Sequence, residues 1–204
     1  MAIKPLDAKQ VNSLEGGPSF TLANRLQRAA WNVAWAVFAS WTPPQMRFVR
    51  RFLLKLFGAK LGDNCDVRGS ARVWYPPHLH LEDRALLAER VNCYNMAPIT
   101  LGRGALVSQG AHLCAGSHDI ASARFQLISS PIVIGAGAWI AAEAFVGPGV
   151  VVGEGAVLGA RAVAFRSLEP WSVYGGNPAK RIKDRVLRPE HGAEANAEAA
   201  EPMQ

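Results

Sequence analysis

Cysteine is scarce in this chain and long apolar runs are short, and each shortage closes off a class of protein. The 204 residues hold three cysteines, Cys65, Cys93 and Cys114, with no Cys-x-x-Cys pair and one left over from any pairing. That usage excludes a disulfide-stapled secreted scaffold and fits a reducing cytoplasm. The stretch Ala29 to Trp41 is apolar apart from Asn32 and Ser40, yet its thirteen residues are too few to cross a bilayer as a helix. No cleavable signal peptide is visible, because Met1 to Gly17 is polar and broken. The formal charge of +6 lacks the stripe that nucleic acid demands: its cations fall into one cluster at Arg47, Arg50, Arg51, Lys55 and Lys60 and another at Lys180, Arg181, Lys183, Arg185 and Arg188. With no reader module or aromatic-lined strand surface beside them, no nucleic-acid partner is expected.

What the middle of the chain does contain is a hydrophobic beat of six. Its openers are Leu61, Val67 and Val73, then Leu81, Leu87 and Cys93, then Leu101, Val107 and Leu113, then Ile134, Ile140 and Val146, then Val152, Leu158 and Ala164. Neither a helix nor an ordinary strand keeps that period. A six that regroups as eighteen supplies the three sides of a triangular parallel β-helix. Four residues after most openers comes a small or modest apolar residue, such as Cys65, Ala71, Ala85, Val91, Ala97, Ala111, Ser117, Ala138 and Ala156, expected to line a narrow prism. Glycine follows the opener at Gly62, Gly102, Gly135, Gly147, Gly153 and Gly159, where a corner at φ values that other residues resist is expected.

Five coils result, roughly 61–80, 81–100, 101–118, 134–151 and 152–169. The fifteen residues from Asp119 to Val133 are too many for a corner and are expected to leave the prism as a loop. Insertions of this kind are where repeat proteins carry function.

Ahead of the prism, Trp31, Trp35 and Phe38 recur at i, i+4 and i+7, with Arg25 and Arg28 before them and Pro43 and Pro44 after. Two readings are open. One is an interfacial helix giving peripheral membrane contact through residues 25–55; the other is a helix packed on the prism or a neighbouring subunit. Behind the prism, Val173 to Ile182 leaves through a turn, a proline and alternating cations. These suit a phosphate-bearing acyl carrier, or else begin a short solvated C-terminal helix. Residues 190–204, rich in Ala and Glu without an apolar stripe, read as a disordered tail.

His118 closes the third coil at an outward frame position, immediately before the loop and beside Ser117 and Asp119. A solvent-facing imidazole there has the access that a general base needs. His112 lies one hexad earlier and therefore on another side of the triangle, so the two cannot chelate one ion within a subunit. No metal site is expected.

Taken together, Arg51 to Lys60, Ile99 to Gly102, Ser108 to Gly110, Cys114 to Asp119, Pro131 to Trp139 and the ending Gly175 to Lys180 resemble the hexapeptide-repeat acetyltransferases. The resemblance is to the branch associated with colanic acid and related exopolysaccharide biosynthesis. It implies a mainly β fold: a left-handed parallel β-helix of about five coils with an N-terminal helical segment and a short C-terminal helix or tail. The units would be a flexible start (1–19), a helical segment (20–60), the acyltransferase prism (61–169), a CoA-proximal segment (170–189) and the tail.

The resemblance also implies a homotrimer that binds acetyl-CoA as co-substrate between neighbouring prisms. His118 would deprotonate a saccharide hydroxyl, with backbone N–H groups stabilising the oxyanion and no covalent enzyme intermediate. By position, Trp139 would flank the acetyl and pantetheine end, Ala142 and Ala160 would offer backbone groups, and Phe165, Arg166, Lys180 and Lys183 would meet the nucleotide end, with Pro178 packing on the adenine. Two departures stand out: Phe165 and Arg166 replace a Thr-Lys pair common in relatives, and Arg161 replaces a glycine. On the acceptor side the matching asparagine is Asn92 or Asn95, and Asp119 either orients His118 or caps the loop. The acceptor would be an exopolysaccharide precursor, lipid-linked or nucleotide-linked, handled in the cytoplasm at the inner face of the membrane. The other classes open to such a prism are a metal-dependent, carbonic-anhydrase-like hydro-lyase and a non-catalytic scaffold.

Overall fold

The computed structural model describes residues 19–188, so the expected flexible start before Ser19 and the tail from 190 lie outside the described residues. Helix α1 (Leu22–Phe38) begins where the Thr21 hydroxyl accepts from the Asn24 N–H, satisfying one of the orphan donors of its first turn. A single 3-10 turn at Pro44–Met46 then leads into α2 (Arg47–Leu56). Trp31 and Trp35 turn onto the prism: their indole N–H groups donate to the carbonyls of Val73 at 2.7 Å and Gly69 at 3.0 Å. The packed reading therefore holds for these two residues, which are buried, whereas Phe38 on the same helix stays exposed.

Three coils follow: β1 (Lys60–Leu61), β2 (Asp66–Val67) and β3 (Arg72–Val73); β4 (Leu79–Leu81), β5 (Leu86–Leu87) and β6 (Asn92–Tyr94); β7 (Ile99–Leu101), β8 (Leu106–Val107) and β9 (His112–Cys114). The chain then leaves the prism as a hairpin of β10 (Gly116–His118) and β11 (Leu127–Ser129). It returns for β12 (Ile132–Ile134), β13 (Trp139–Ile140) and β14 (Phe145–Val146), then β15 (Val151–Val152), β16 (Val157–Leu158) and β17 (Val163–Ala164). Leaving out the hairpin strands β10 and β11, every third strand stacks in parallel, so the outward residues form three ladders. One runs Lys60, His80, Thr100, Val133, Val151; the second Asp66, Leu86, Leu106, Trp139, Val157; the third Arg72, Asn92, His112, Phe145, Val163. This is the left-handed parallel β-helix of five coils, begun a sixth time by the Leu168 bridge to Val152 and by β18 (Ser172–Gly175) on β16.

Inside, the expected beat is met at all openers but Leu61, which is half-buried, and at the small positions four residues on. Ser117 departs from it and is exposed, because the chain leaves the prism along β10, in which Gly116 is still buried and Ser117 and His118 are exposed.

The glycine expectation needs a different physical cause. Positive φ falls three residues after the opener, at Asn64, Arg84, Arg90, Glu143 and Arg161 as well as at glycines such as Gly137. The glycines next to the openers are there because coils approach closely. A Cβ on Gly153 would sit 2.4 Å from the Pro170 nitrogen, and one on Gly135 would sit 2.6 Å from that of Glu154.

The C-terminal helix does not form. Residues Lys180–Asp184 are a strand, β19, antiparallel to β18. Without it β18 would be an open edge with unpaired backbone groups, and β19 covers that edge.

Arg50 is also moved from its expected place in a lipid-facing cluster. It is fully buried, with its guanidinium donating to Thr42 Oγ1 at 2.9 Å, to the Pro43 carbonyl at 2.7 Å and to both carboxylate oxygens of Asp66 at 3.1 and 3.2 Å. It thereby ties the turn between the helices to β2. Arg50→Met should lower unfolding free energy by about 3 kcal/mol, because the partners stay buried while Asp66 keeps only Arg68; urea unfolding checks it.

Candidate active site

The hairpin carries His118 at the end of β10, where it is exposed. Its Nδ1 lies 2.7 Å from the Phe125 carbonyl across the hairpin, so Nδ1 holds the proton and Nε2 is left as the basic nitrogen. The Phe125 ring stacks nearby, with centroids 5.6 Å apart. Phe125 itself has φ +50°, a left-handed turn that brings its carbonyl back toward the strand. Asp119 does not orient the imidazole by its carboxylate, which instead accepts from the Ala121 N–H at 3.0 Å and caps the tip.

On the third ladder, Asn92 and Asn95 part company. Asn95 is fully buried, with its amide clipped to both backbone groups of Tyr75, accepting at 2.9 Å and donating at 2.8 Å. It is a corner fastener with no atom for a ligand, which corrects its candidacy for acceptor binding. Asn92 is exposed and lies 3.3 Å from His112 Nε2, where the Asn92 amide donates to the imidazole. His112 packs edge-on against Phe145, and Phe145 against Phe165, at 5.2 and 5.5 Å between centroids.

The residues expected at the acyl carrier gather on other faces. Trp139 projects from the second ladder, partly exposed, with its indole N–H donating to Ser108 Oγ at 2.8 Å. Ser108 went unassigned from sequence although it belongs to the shared motif. The signal was its register, since Trp139 stacks on Leu106 and Ser108 is the next outward residue. The Ala142 carbonyl accepts from the Arg161 N–H at 2.9 Å, leaving the Ala142 N–H as its remaining backbone group, and Ala160 sits at an exposed corner. Arg166, Pro178 and Lys180 meet in a groove of about 420 Å³ with Phe165 and Tyr174. Lys183 is exposed on β19 but does not line that groove.

The two departures acquire a structure. Arg161 stands at a left-handed corner, φ +58°, and its Nε pairs with Glu143 at 2.7 Å. Phe165 lies over Gly147, where a Cβ would come within 2.7 Å of its ring. Cys65 and Cys93 are fully buried, and burial pushes the Cys93 thiol up to about 12. Among the described residues, no group of three or more His, Cys, Asp or Glu side chains is arranged to hold a metal ion.

A model of bacterial transferase hexapeptides (six repeats) matches residues 131–164, the part of the prism that follows the hairpin. The fold superposes on a maltose O-acetyltransferase from Clostridium difficile 630 with a TM-score of 0.73 at 21% identity, covering 82% of this chain and 90% of that one. It superposes on a hexapeptide-repeat containing acetyltransferase of Vibrio cholerae O1 biovar eltor, solved with acetyl coenzyme A, with a TM-score of 0.71 at 22% identity, covering 81% and 88%. Over 167 residues, 82% of this chain and 92% of the relative, it is 42% identical to an Escherichia coli (strain K12) protein that bears the name colanic acid biosynthesis acetyltransferase WcaF. The chain belongs to that family of hexapeptide-repeat acetyltransferases.

Three imidazoles away from the hairpin have a pH signature. Burial lowers the pKa of His78, His80 and His112 below the ordinary value near 6.5; for His78 it outweighs the bonds to the Asn95 and Met96 carbonyls. Below that value the unfolded chain takes up protons that the folded one refuses. The stability they confer is therefore complete above about pH 6.5 and falls as pH drops toward the folded values. Urea midpoints measured at about pH 7.5 and about pH 5.5 should be lower at the acidic pH, and His78→Gln should shrink the difference.

Proposed function

We propose that the chain is an acetyl-CoA-dependent O-acetyltransferase that acetylates a hydroxyl of a saccharide, an exopolysaccharide precursor, with His118 as general base. The observation that carries the reading is the His118 Nδ1 contact with the Phe125 carbonyl. It fixes the tautomer in which an exposed Nε2 accepts a proton. Support also comes from the 42% identity to a protein named as an acetyltransferase of colanic acid biosynthesis and from the fold shared with an acetyltransferase solved with acetyl coenzyme A.

Acetyl-CoA supplies the acyl group; the chain supplies alignment and proton transfer. Nε2 of His118 takes the proton of the acceptor hydroxyl as its oxygen bonds to the acetyl carbon, and the imidazolium returns that proton to the sulfur when the carbon–sulfur bond breaks. Trp139, held by Ser108, flanks the acetyl end, with Ala142 and Ala160 beside the pantetheine arm. The aromatic and cationic groove of Arg166, Pro178 and Lys180 suits an adenine and its phosphates, and Lys183, exposed on β19 outside the groove, adds positive charge to the same strand.

Trp139 and β19 belong to one sheet of the prism, whereas the His118 hairpin emerges after β9 of another. A site built from the Trp139 face of one subunit and the His118 hairpin of a second satisfies this placement, and a homotrimer provides it. Asn92, exposed beside His112, is the acceptor-side amide, and Asp119 caps the hairpin tip.

His118→Ala should lower kcat by a factor of about 100 to 10,000 with acetyl-CoA affinity nearly unchanged. Free-thiol release from acetyl-CoA against a panel of lipid-linked and free oligosaccharides reads this, and wild-type turnover in the variant would remove His118 from the chemistry. Lys180→Ala should raise KM for acetyl-CoA roughly three- to tenfold while sparing kcat, as expected for one exposed phosphate contact. An equal loss with a CoA-free acyl donor would place Lys180 elsewhere.

A further inference from the structure

Helix α1 is apolar on two opposite sides. Trp31 and Trp35 face the prism, and half a turn away Leu22, Leu26, Val33 and Val37 are each more than half exposed. Helix α2 repeats the pattern. Arg50, Leu53 and Leu54 are buried, while Phe48, Phe52 and Leu56, spaced i, i+4 and i+8 along one stripe, are 67%, 65% and 66% exposed. A helix on a water-facing surface turns polar residues outward; these two turn large apolar ones outward. Nine of the twenty large apolar side chains exposed among the described residues fall between Leu22 and Leu56, so the patch is concentrated, not scattered.

Charge decides what fits it. From Gly16 to Gly62 the sequence has seven Lys or Arg and no Asp or Glu, so the rest of the chain, with fifteen basic and sixteen acidic residues, has a net charge of −1, and the whole excess of +6 comes from this segment. Arg50 spends its charge on Asp66, but Arg25, Arg47, Lys55 and Lys60 are exposed, and Arg47 and Lys55 flank the Phe48–Phe52–Leu56 stripe. We infer that this end of the prism docks on the surface of an anionic phospholipid bilayer, with the apolar stripes of α1 and α2 entering the headgroup and acyl boundary and the cations meeting lipid phosphates. No helix among the described residues is long and apolar enough to cross a membrane, so the contact is one of lying on the surface. The inference does not depend on the acetyl-transfer reading.

The test is co-sedimentation of the full chain with unilamellar vesicles of phosphatidylcholine alone or mixed with phosphatidylglycerol, paired with sedimentation velocity without lipid. The wild type should pellet with the anionic vesicles and far less with the neutral ones. Phe48→Ser/Phe52→Ser/Leu56→Ser should weaken binding to the anionic vesicles by at least about tenfold. Arg47→Glu/Lys55→Glu, which leaves the apolar stripe intact, should also weaken it by about tenfold or more, each cation near such a surface being worth roughly a factor of five. Both variants should keep the wild-type circular dichroism and sedimentation coefficient. Equal binding to both vesicle types, no binding to either, or a smaller assembly in the serine variant would overturn the proposal, the last by making the face a contact between copies of the chain.

Discussion

Everything in this protein hangs on the close stacking of one coil on the next. Parallel strands must lie about 4.8 Å apart for their backbone groups to bond, and directly after several openers that spacing leaves no room for a side chain. A Cβ on Gly153, Gly135 or Gly102 would sit 2.4 to 2.7 Å from a backbone nitrogen of the next coil. The same stacking keeps the prism narrow, so most positions four residues after an opener take alanine, valine or cysteine. The outward positions become ladders, and chemistry can be attached to them without disturbing the interior.

The hairpin is the one place where the stacking is suspended. Leaving at Gly116 and returning at Ile132, it pairs its own arms, Ser117 with Ile128 and His118 with Leu127, so its backbone groups are satisfied without a neighbouring coil. Within it the left-handed turn at Phe125 aims a carbonyl at an imidazole. The rigid ladders do the converse, holding Trp139 on Ser108 and Asn92 beside His112 at fixed rungs. The hairpin thus holds His118 by its own pairing, while the ladders hold Trp139 and Asn92 by coil-to-coil register.

The two ends of the prism are finished differently. At the last coil, β19 covers the open sheet edge and carries Lys180 to the groove with Arg166 and Pro178. At the first coil, two helices cover the prism and are pinned through Trp31, Trp35 and the buried Arg50–Asp66 pair. The helices cover the first coil, whereas β19 pairs with β18 and becomes the outer strand of its sheet, and each cap brings its own surface: cationic and aromatic at one end, apolar and cationic at the other.

The beat of six was enough to determine the prism, its five coils, its buried cysteines and the position of the insertion, because a repeat of period six can bury its openers in only one way. It also put His118 beside that insertion. What it did not determine are contacts between residues one or more coils apart and contacts made through backbone atoms. The Tyr75 clip that withdraws Asn95, the Ser108 anchor of Trp139 and the Phe125 carbonyl that sets the His118 tautomer all belong there. Trp31, Trp35 and Phe38 show the same limit: helical spacing put them on one stripe, but only packing against Gly69 and Val73 decided that the two tryptophans face the prism while the outward side of α1 is left apolar. Periodicity encodes which residues face in; which partner an outward side chain meets depends on the register of strands far apart in the chain, and that is set only when the coils have stacked.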